Sequence, residues 1–152
     1  MTYEALLEYA DAQNLIVKEK NIPGYAGRIY DNRIAIHKDI ETQAEKACIL
    51  AEELGHYYTN YGDVLDQSNV QNRKQEYKAR LWGYNQQIGL TGIIQVFEHG
   101  CHSLSEAAEF LNVPEDYFIR AIECYKQKYG IYTVVDNYTI IFEPVLGVCK
   151  PL

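Results

Sequence analysis

The spacing of apolar residues along the first ninety positions predicts a mixture of helices and short strands. Apolar residues three and four positions apart line one face of a helix, and they predict helices over residues 3–13, 42–60 and 71–87. Runs of β-branched and aromatic residues predict extended segments starting at residues 15, 27 and 33. Because Asp31-Asn32 is a turn sequence, we expect the last two segments to form a hairpin. A polar loop is predicted at 63–70.

The last third of the chain changes character, because its predicted helices are followed by a second hairpin. The helices are expected over residues 91–99, 103–111 and 114–129, and Pro114 is expected to open the last of them. Two β-prone runs, at 131–135 and 138–142, flank a turn sequence. A helix-turn-helix pair followed by a hairpin is a winged-helix-like order.

These elements together predict an α+β fold. Residues 1–90 are expected to form one domain with a small sheet and long helices. Residues 91–152 are expected to form a helical tail with helix-turn-helix-like helices and a closing β-hairpin. We expect the two parts to pack as one unit.

Capping and packing residues predict how the two long helices begin and meet. Thr42 and Glu45 form a capping box, in which the hydroxyl accepts an early backbone N–H and the carboxylate reaches back. A buried stripe is expected on the first long helix, at Ala47, Leu50, Ala51, Leu54 and Tyr58. On the second long helix Ala79 and Gly83 are small, so a neighbouring helix can approach closely.

The composition is that of a globular protein with an acidic balance. Its 152 residues carry a formal net charge of −7. Direct binding of nucleic acid is therefore not expected, since such binding draws on Lys and Arg against phosphate. Four cysteines lie far apart in sequence, and no export signal or apolar span of about 20 residues is present. We expect free thiols, with Cys48 in the core, in a cytoplasmic protein that is not membrane-bound.

The segment Glu52-Glu53-Leu54-Gly55-His56 carries the candidate chemistry. Residues four apart share one face of a helix, so Glu52 and His56 point the same way. This is the geometry by which an HExxH helix holds zinc, with the intervening Glu as general base. Here Glu52 replaces the first histidine, and a carboxylate is an acceptable zinc ligand. Glu53 then occupies the position of the base.

A third metal ligand has to come from elsewhere in the chain, and Glu76 on the next predicted helix is the best candidate. It precedes Ala79 in an ExxA pattern, and the small residue lets the second helix lie against the first. Glu52, His56 and Glu76 together would bind one divalent metal, zinc or alternatively manganese. Three protein ligands leave one position open, as a hydrolytic site requires.

The segment Leu50-Ala51-Glu52-Glu53-Leu54-Gly55-His56-Tyr57-Tyr58-Thr59, followed by Arg73-Lys74-Gln75-Glu76-Tyr77-Lys78-Ala79-Arg80, resembles the ImmA/IrrE metallopeptidases. This family occurs beside repressor genes in phages and integrative elements, and the similarity covers nearly the whole chain. It implies a zincin-like minimal metallopeptidase core and a gluzincin-like site with HExxH and a downstream Glu. Members with Glu in the first position also occur. The resemblance implies cleavage of a helix-turn-helix repressor, which lifts repression.

Two other functions are compatible with the sequence. The chain could be a non-catalytic anti-repressor or antitoxin-like binding protein that keeps the fold, an alternative motivated by Glu52. A DNA-binding regulator is less favoured, because the predicted helices at 103–130 carry more acidic than basic residues.

The remaining histidines, His37, His99 and His102, have no partners at ligand spacing and are expected at the surface. One of them, or Tyr57, could stabilise an oxyanion, and the sequence does not choose between them.

Overall fold

The computed structural model describes residues 1–59 and 70–151, and for residues 70–72 it describes the backbone alone. Its described residues form an α+β fold, as the sequence predicts. They divide into two compact units, Met1–Gln87 and Ile88–Leu152. The predicted polar loop at 63–70 lies outside the described residues, except for its last position, where a helix begins.

The first unit contains three helices and three strands. In chain order these are α1 (Tyr3–Ala12), β1 (Ile16–Lys20), β2 (Gly27–Tyr30), β3 (Arg33–His37), α2 (Gln43–Thr59) and α3 (Val70–Gln87). Helix α2 begins after Thr42, whose hydroxyl accepts a hydrogen bond from the Glu45 N–H at 3.1 Å. The hydroxyl half of the predicted capping box is thereby confirmed.

The strands of the first unit form one sheet in the order β1-β3-β2. Strands β2 and β3 are antiparallel, which confirms the predicted hairpin, and Asp31 in its turn has a φ of 54°. The sequence did not predict that β1 pairs with β3 in parallel. Alternation along β3 directs Ile34 and Ile36 into the core.

The core of the first unit lies between this sheet and the helices α1 and α2. Leu6 and Ala10 of α1 are buried there with Ile34 and Ile36 of β3. Helix α2 adds Ala47, Leu50, Ala51 and Leu54, four residues of the predicted stripe, whereas the fifth, Tyr58, is only partly buried. One face of α2 is thus fixed against the core, which decides where its other residues point.

Helices α2 and α3 approach so closely that their backbones touch. A Cβ atom added to Gly55 of α2 would lie 2.2 Å from the carbonyl oxygen of Ala79. At Gly83 of α3 the corresponding distance, to the backbone of Ala51 and Glu52, is 3.3 Å. The expectation that Ala79 and Gly83 permit a close neighbour is confirmed, and Gly55 is the tighter of the two glycine contacts.

The second unit contains three helices and a three-stranded antiparallel sheet. These elements are α4 (Gly89–Glu98), α5 (Leu104–Leu111), α6 (Glu115–Tyr129), β4 (Tyr132–Val135), β5 (Tyr138–Ile141) and β6 (Gly147–Cys149). Strand β6, which pairs with β5, was not predicted. Asn112 ends α5 in the left-handed conformation, and Pro114 precedes α6 as its N-cap instead of being its first helical residue.

Two further expectations concern cysteines and membranes. No disulfide bond joins any of the four cysteines, which all lie among the described residues, and Cys48 is buried as predicted. Among the described residues, no helix combines the length and the apolar character that crossing a lipid bilayer requires.

Candidate metal centre

Helices α2 and α3 bring together the three residues that the sequence singles out as metal ligands. Glu52 and His56 lie one turn apart on α2, and Glu76 faces them from α3. One possible ligand atom from each residue lies within 4.8 Å of the other two. No other group of three or more His, Cys, Asp and Glu side chains comes together in this way within residues 1–59 and 70–151.

The contact between Gly55 and Ala79 explains why the two helices can share a centre. Gly55 lies directly before His56, and Ala79 is one helical turn beyond Glu76. Backbone contact at this point leaves Nε2 of His56 and Oε2 of Glu76 only 3.4 Å apart. Both side chains are partly exposed, at 14% and 20%, so the centre is reachable from solvent.

The donor atoms fit a divalent metal ion. One imidazole and two carboxylates are ligands that zinc accepts, at distances of roughly 2.0 to 2.2 Å. Two ligands at tetrahedral angles on such an ion lie about 3.4 Å from each other. The observed separation of the His56 and Glu76 atoms equals that spacing.

Glu53 lies next to this group and is buried, whereas Glu52, His56 and Glu76 are partly exposed. Only 9% of its surface is exposed. The pKa of Glu53 is raised to about 8, first because burial disfavours the carboxylate, and then because Glu52 and Glu76 are negatively charged neighbours. A carboxyl group with this pKa holds and releases a proton near neutral pH, which suits acid–base chemistry.

Strand β2 forms one wall around Glu53. A Cβ atom on Gly27 would lie 3.1 Å from Cγ and 3.2 Å from Oε1 of Glu53, and 2.5 Å from a side-chain carbon of Ile49. The absence of a side chain at Gly27 therefore provides the space for the carboxyl group. Sequence reasoning missed this residue, because only the sheet register shows that it faces α2; its one signal is a glycine inside a strand.

Arg80 is the second residue that sequence reasoning missed. Its Nε atom lies 3.2 Å from Oε1 of Glu76 and 3.5 Å from Oε1 of Glu52. The guanidinium group thus touches both carboxylates of the candidate metal centre. The signal in the sequence is the four-residue spacing from Glu76, which puts the two side chains on one face of α3.

The other histidines are not members of this group. Nδ1 of His37 accepts a hydrogen bond from the Asp39 N–H at 3.1 Å, and His99 stacks on Phe110 at 4.4 Å between ring centroids. His99 and His102 are exposed, and His37 is half-buried. Tyr57 is 40% exposed and packs edge-on against Tyr58.

Comparison with known protein families gives a match. The family model described as the IrrE N-terminal-like domain, Peptidase_M78, matches residues 10–123, well over half of the chain. The matched region contains Glu52, Glu53, His56 and Glu76. No curated protein and no solved structure matches the chain.

Proposed function

Since this chain belongs to the ImmA/IrrE family of metallopeptidases, we propose that it is a metal-dependent endopeptidase with a zincin-like core and a gluzincin-like site. Its proposed substrate is a helix-turn-helix repressor, whose cleavage relieves repression of a phage or mobile element. The observation that carries the proposed activity is the convergence of Glu52, His56 and Glu76 beside the buried Glu53. The substrate class is supported by the family resemblance.

Glu52, His56 and Glu76 are the residues proposed to hold one divalent ion. Zinc is the first choice, because it accepts imidazole and carboxylate ligands and because catalytic zinc sites use three protein ligands. Manganese is the alternative, since two of the three donors are carboxylates. Lewis-acid activation of the scissile carbonyl and of the attacking water is the chemistry that a bound ion supplies.

Glu53 is proposed to move the proton. Its carboxylate accepts a proton from the water molecule as the water oxygen forms a bond to the scissile carbonyl carbon. Glu53 then delivers that proton to the amide nitrogen as the C–N bond breaks, which gives a carboxylic acid and an amine. Burial, the largest cause of the raised pKa of Glu53, makes its ionised carboxylate a stronger base than an exposed one.

The proposed substrate also sets the proposed location. A helix-turn-helix repressor acts on DNA inside the cell, so the peptidase must meet it in the cytoplasm. The net charge of −7 suits an enzyme that approaches the repressor protein and not the DNA bound to it.

The decisive experiment combines metal analysis with a cleavage assay on a candidate helix-turn-helix repressor. We expect the purified protein to contain about one divalent ion per chain and to cut the repressor at a defined site. Glu53→Gln should retain the ion and lose roughly 100-fold or more in cleavage rate, because general acid–base catalysis contributes about that much. Glu45→Gln, which changes an exposed glutamate of the same helix, is the matched control and should cleave normally.

Cleavage by Glu53→Gln at the normal rate would exclude the proposed mechanism. The non-catalytic alternative has its own signature. A protein without stoichiometric metal, whose Glu53→Gln variant still relieves repression in cells, would be a repressor-binding protein that does not cleave its partner.

A further inference from the structure

Arg80 forms ion pairs with both carboxylates of the metal centre. We propose that Arg80 determines the metal specificity of the centre. By holding one oxygen of Glu76 and lying beside Glu52, it limits the oxygen atoms available to the ion and favours zinc over manganese. The inference rests on the proposed function, since it assumes that Glu52, His56 and Glu76 bind a metal ion.

The two oxygens of Glu76 have different neighbours. Oε1 lies 3.2 Å from Nε of Arg80, and Oε2 lies 3.4 Å from Nε2 of His56. Oε2 therefore points toward the other metal ligand, whereas Oε1 is engaged by a cation. Glu76 can donate Oε2 to an ion and keep its contact with Arg80, so the guanidinium group directs the carboxylate to bind through one oxygen.

The number of available oxygens decides which ion fits. Zinc takes four ligands and accepts imidazole readily, whereas manganese prefers six ligands that are mostly oxygen. A Glu76 side chain released from Arg80 has both oxygens free to bind an ion. Loss of Arg80 thus changes the centre in the direction that manganese prefers.

Charge gives a second, independent reason for a cation at this position. An HExxH centre has a neutral imidazole where this chain has the anionic Glu52. That replacement adds one negative charge beside Glu53 and Glu76, and Arg80 adds one positive charge 3.5 Å from Oε1 of Glu52. Arg80 therefore offsets the additional charge, which would otherwise attract hard divalent cations in general.

A role in overall stability does not explain these contacts. The Arg80 side chain is 52% exposed, and exposed ion pairs contribute little to folding free energy because water and salt screen them. Replacing Arg80 is therefore expected to change metal affinity and to leave the folding free energy almost unchanged. This difference allows a variant to be tested in a folded protein.

The test compares zinc and manganese affinities, measured by competition titration on metal-free protein. In Arg80→Gln we expect zinc affinity to fall by about 10- to 100-fold, the usual effect of removing a group that orients a metal ligand. Manganese affinity should fall less, so the ratio of zinc affinity to manganese affinity decreases. Arg80→Lys, which keeps the charge, should recover part of the ratio. Lys78→Gln, at an exposed lysine two positions away, is the matched control and should leave it unchanged.

Cobalt spectroscopy supplies a readout independent of affinity. Four-coordinate cobalt absorbs visible light much more strongly than six-coordinate cobalt, so Arg80→Gln should weaken the bands of the cobalt-loaded protein. An unchanged affinity ratio together with an unchanged spectrum in Arg80→Gln would overturn the inference while leaving the peptidase proposal intact. A wild-type protein that binds neither ion would overturn both.

Discussion

Glu53 is enclosed by helix α2, by strand β2 at Gly27 and by two further carboxylates, and this enclosure governs how it titrates. In the metal-free chain its pKa is raised from 4.5 to about 8, with burial as the largest cause. The folded state therefore retains a proton that the unfolded chain has already released. Between pH 4.5 and about pH 8, folding takes up a proton at Glu53, so the free energy of unfolding falls as the pH rises.

The pH dependence gives a prediction for the metal-free protein. From pH 5 to pH 8 the free energy of unfolding should decrease, and Glu53 contributes at most about 1.4 kcal/mol per pH unit to that slope. Urea unfolding of chelator-treated protein at several pH values measures the effect. Glu53→Gln has no carboxyl group to titrate and should show a shallower slope, whereas Glu45→Gln should keep the wild-type slope. Parallel curves for wild type and Glu53→Gln would contradict the assignment of the shift to Glu53.

At the residue scale the sequence predicted those side-chain positions that follow from the geometry of a single helix. The spacing of Glu52 and His56 follows from the helical repeat, and both residues lie in the same group in the structure. Glu76 was predicted because its small neighbour Ala79 permits close packing. Arg80 and Gly27 were missed. The importance of Arg80 depends on its contacts with the Glu76 and Glu52 carboxylates, and that of Gly27 depends on β2 lying over Glu53. Those are tertiary contacts without a local pattern.

At the element scale, the α2–α3 contact at Gly55 supports the whole centre. Gly55→Ala would place a Cβ atom 2.2 Å from the Ala79 carbonyl oxygen, so the helices would have to separate. We expect a loss of about 1–3 kcal/mol in unfolding free energy, the usual cost of overpacking. Weaker zinc binding should accompany it, because Glu76 moves away from His56.

Gly83 offers the matched control for this prediction. A Cβ atom there meets backbone atoms at 3.3 Å, which is tight but needs a smaller adjustment. Alanine favours the helical conformation over glycine by about 1 kcal/mol at both positions, and at Gly83 this gain is comparable with the smaller steric cost. Urea unfolding should therefore show Gly83→Ala to be much closer to wild type than Gly55→Ala. The reverse order would mean that the helices do not meet at Gly55.

The sequence predicted the helices and both hairpins, because each has a repeat or a turn sequence of its own. It did not predict that β1 pairs with β3. The two strands are separated in sequence by β2, and no pattern within β1 indicates which strand will be its partner. Strand β6 was also missed, because a segment of three residues that begins with Gly147 is too short to show alternation. Pairing with β5 forms this strand.

At the scale of the whole molecule, metal binding and folding should be linked. The three proposed ligands come from two helices that are adjacent only in the folded chain, so an ion binds the folded state preferentially. Zinc at 100 times its dissociation constant should then raise the unfolding free energy by about 2.7 kcal/mol.

Thermal unfolding with increasing zinc measures this linkage. We expect the midpoint of wild type and of Glu53→Gln to rise with zinc concentration. His56→Ala should lose most of the rise, whereas His102→Ala, at an exposed histidine of the second unit, should retain it. A rise in His56→Ala as large as in wild type would place the zinc elsewhere.

The contact of Gly55 with the Ala79 carbonyl also bears on how such chains can be found in sequence collections. A search pattern that requires histidine at the first position of the HExxH motif passes over this chain, which has Glu52 there. The backbones of α2 and α3, in contrast, are too close at Gly55 to admit any side chain there, and this holds for any set of metal ligands. A pattern could instead require the glycine at Gly55 and a small residue at Ala79, and allow either His or Glu at the first motif position. It would select chains in which the two helices can pack this closely. Such a pattern would recover divergent peptidases that a ligand-based pattern leaves out.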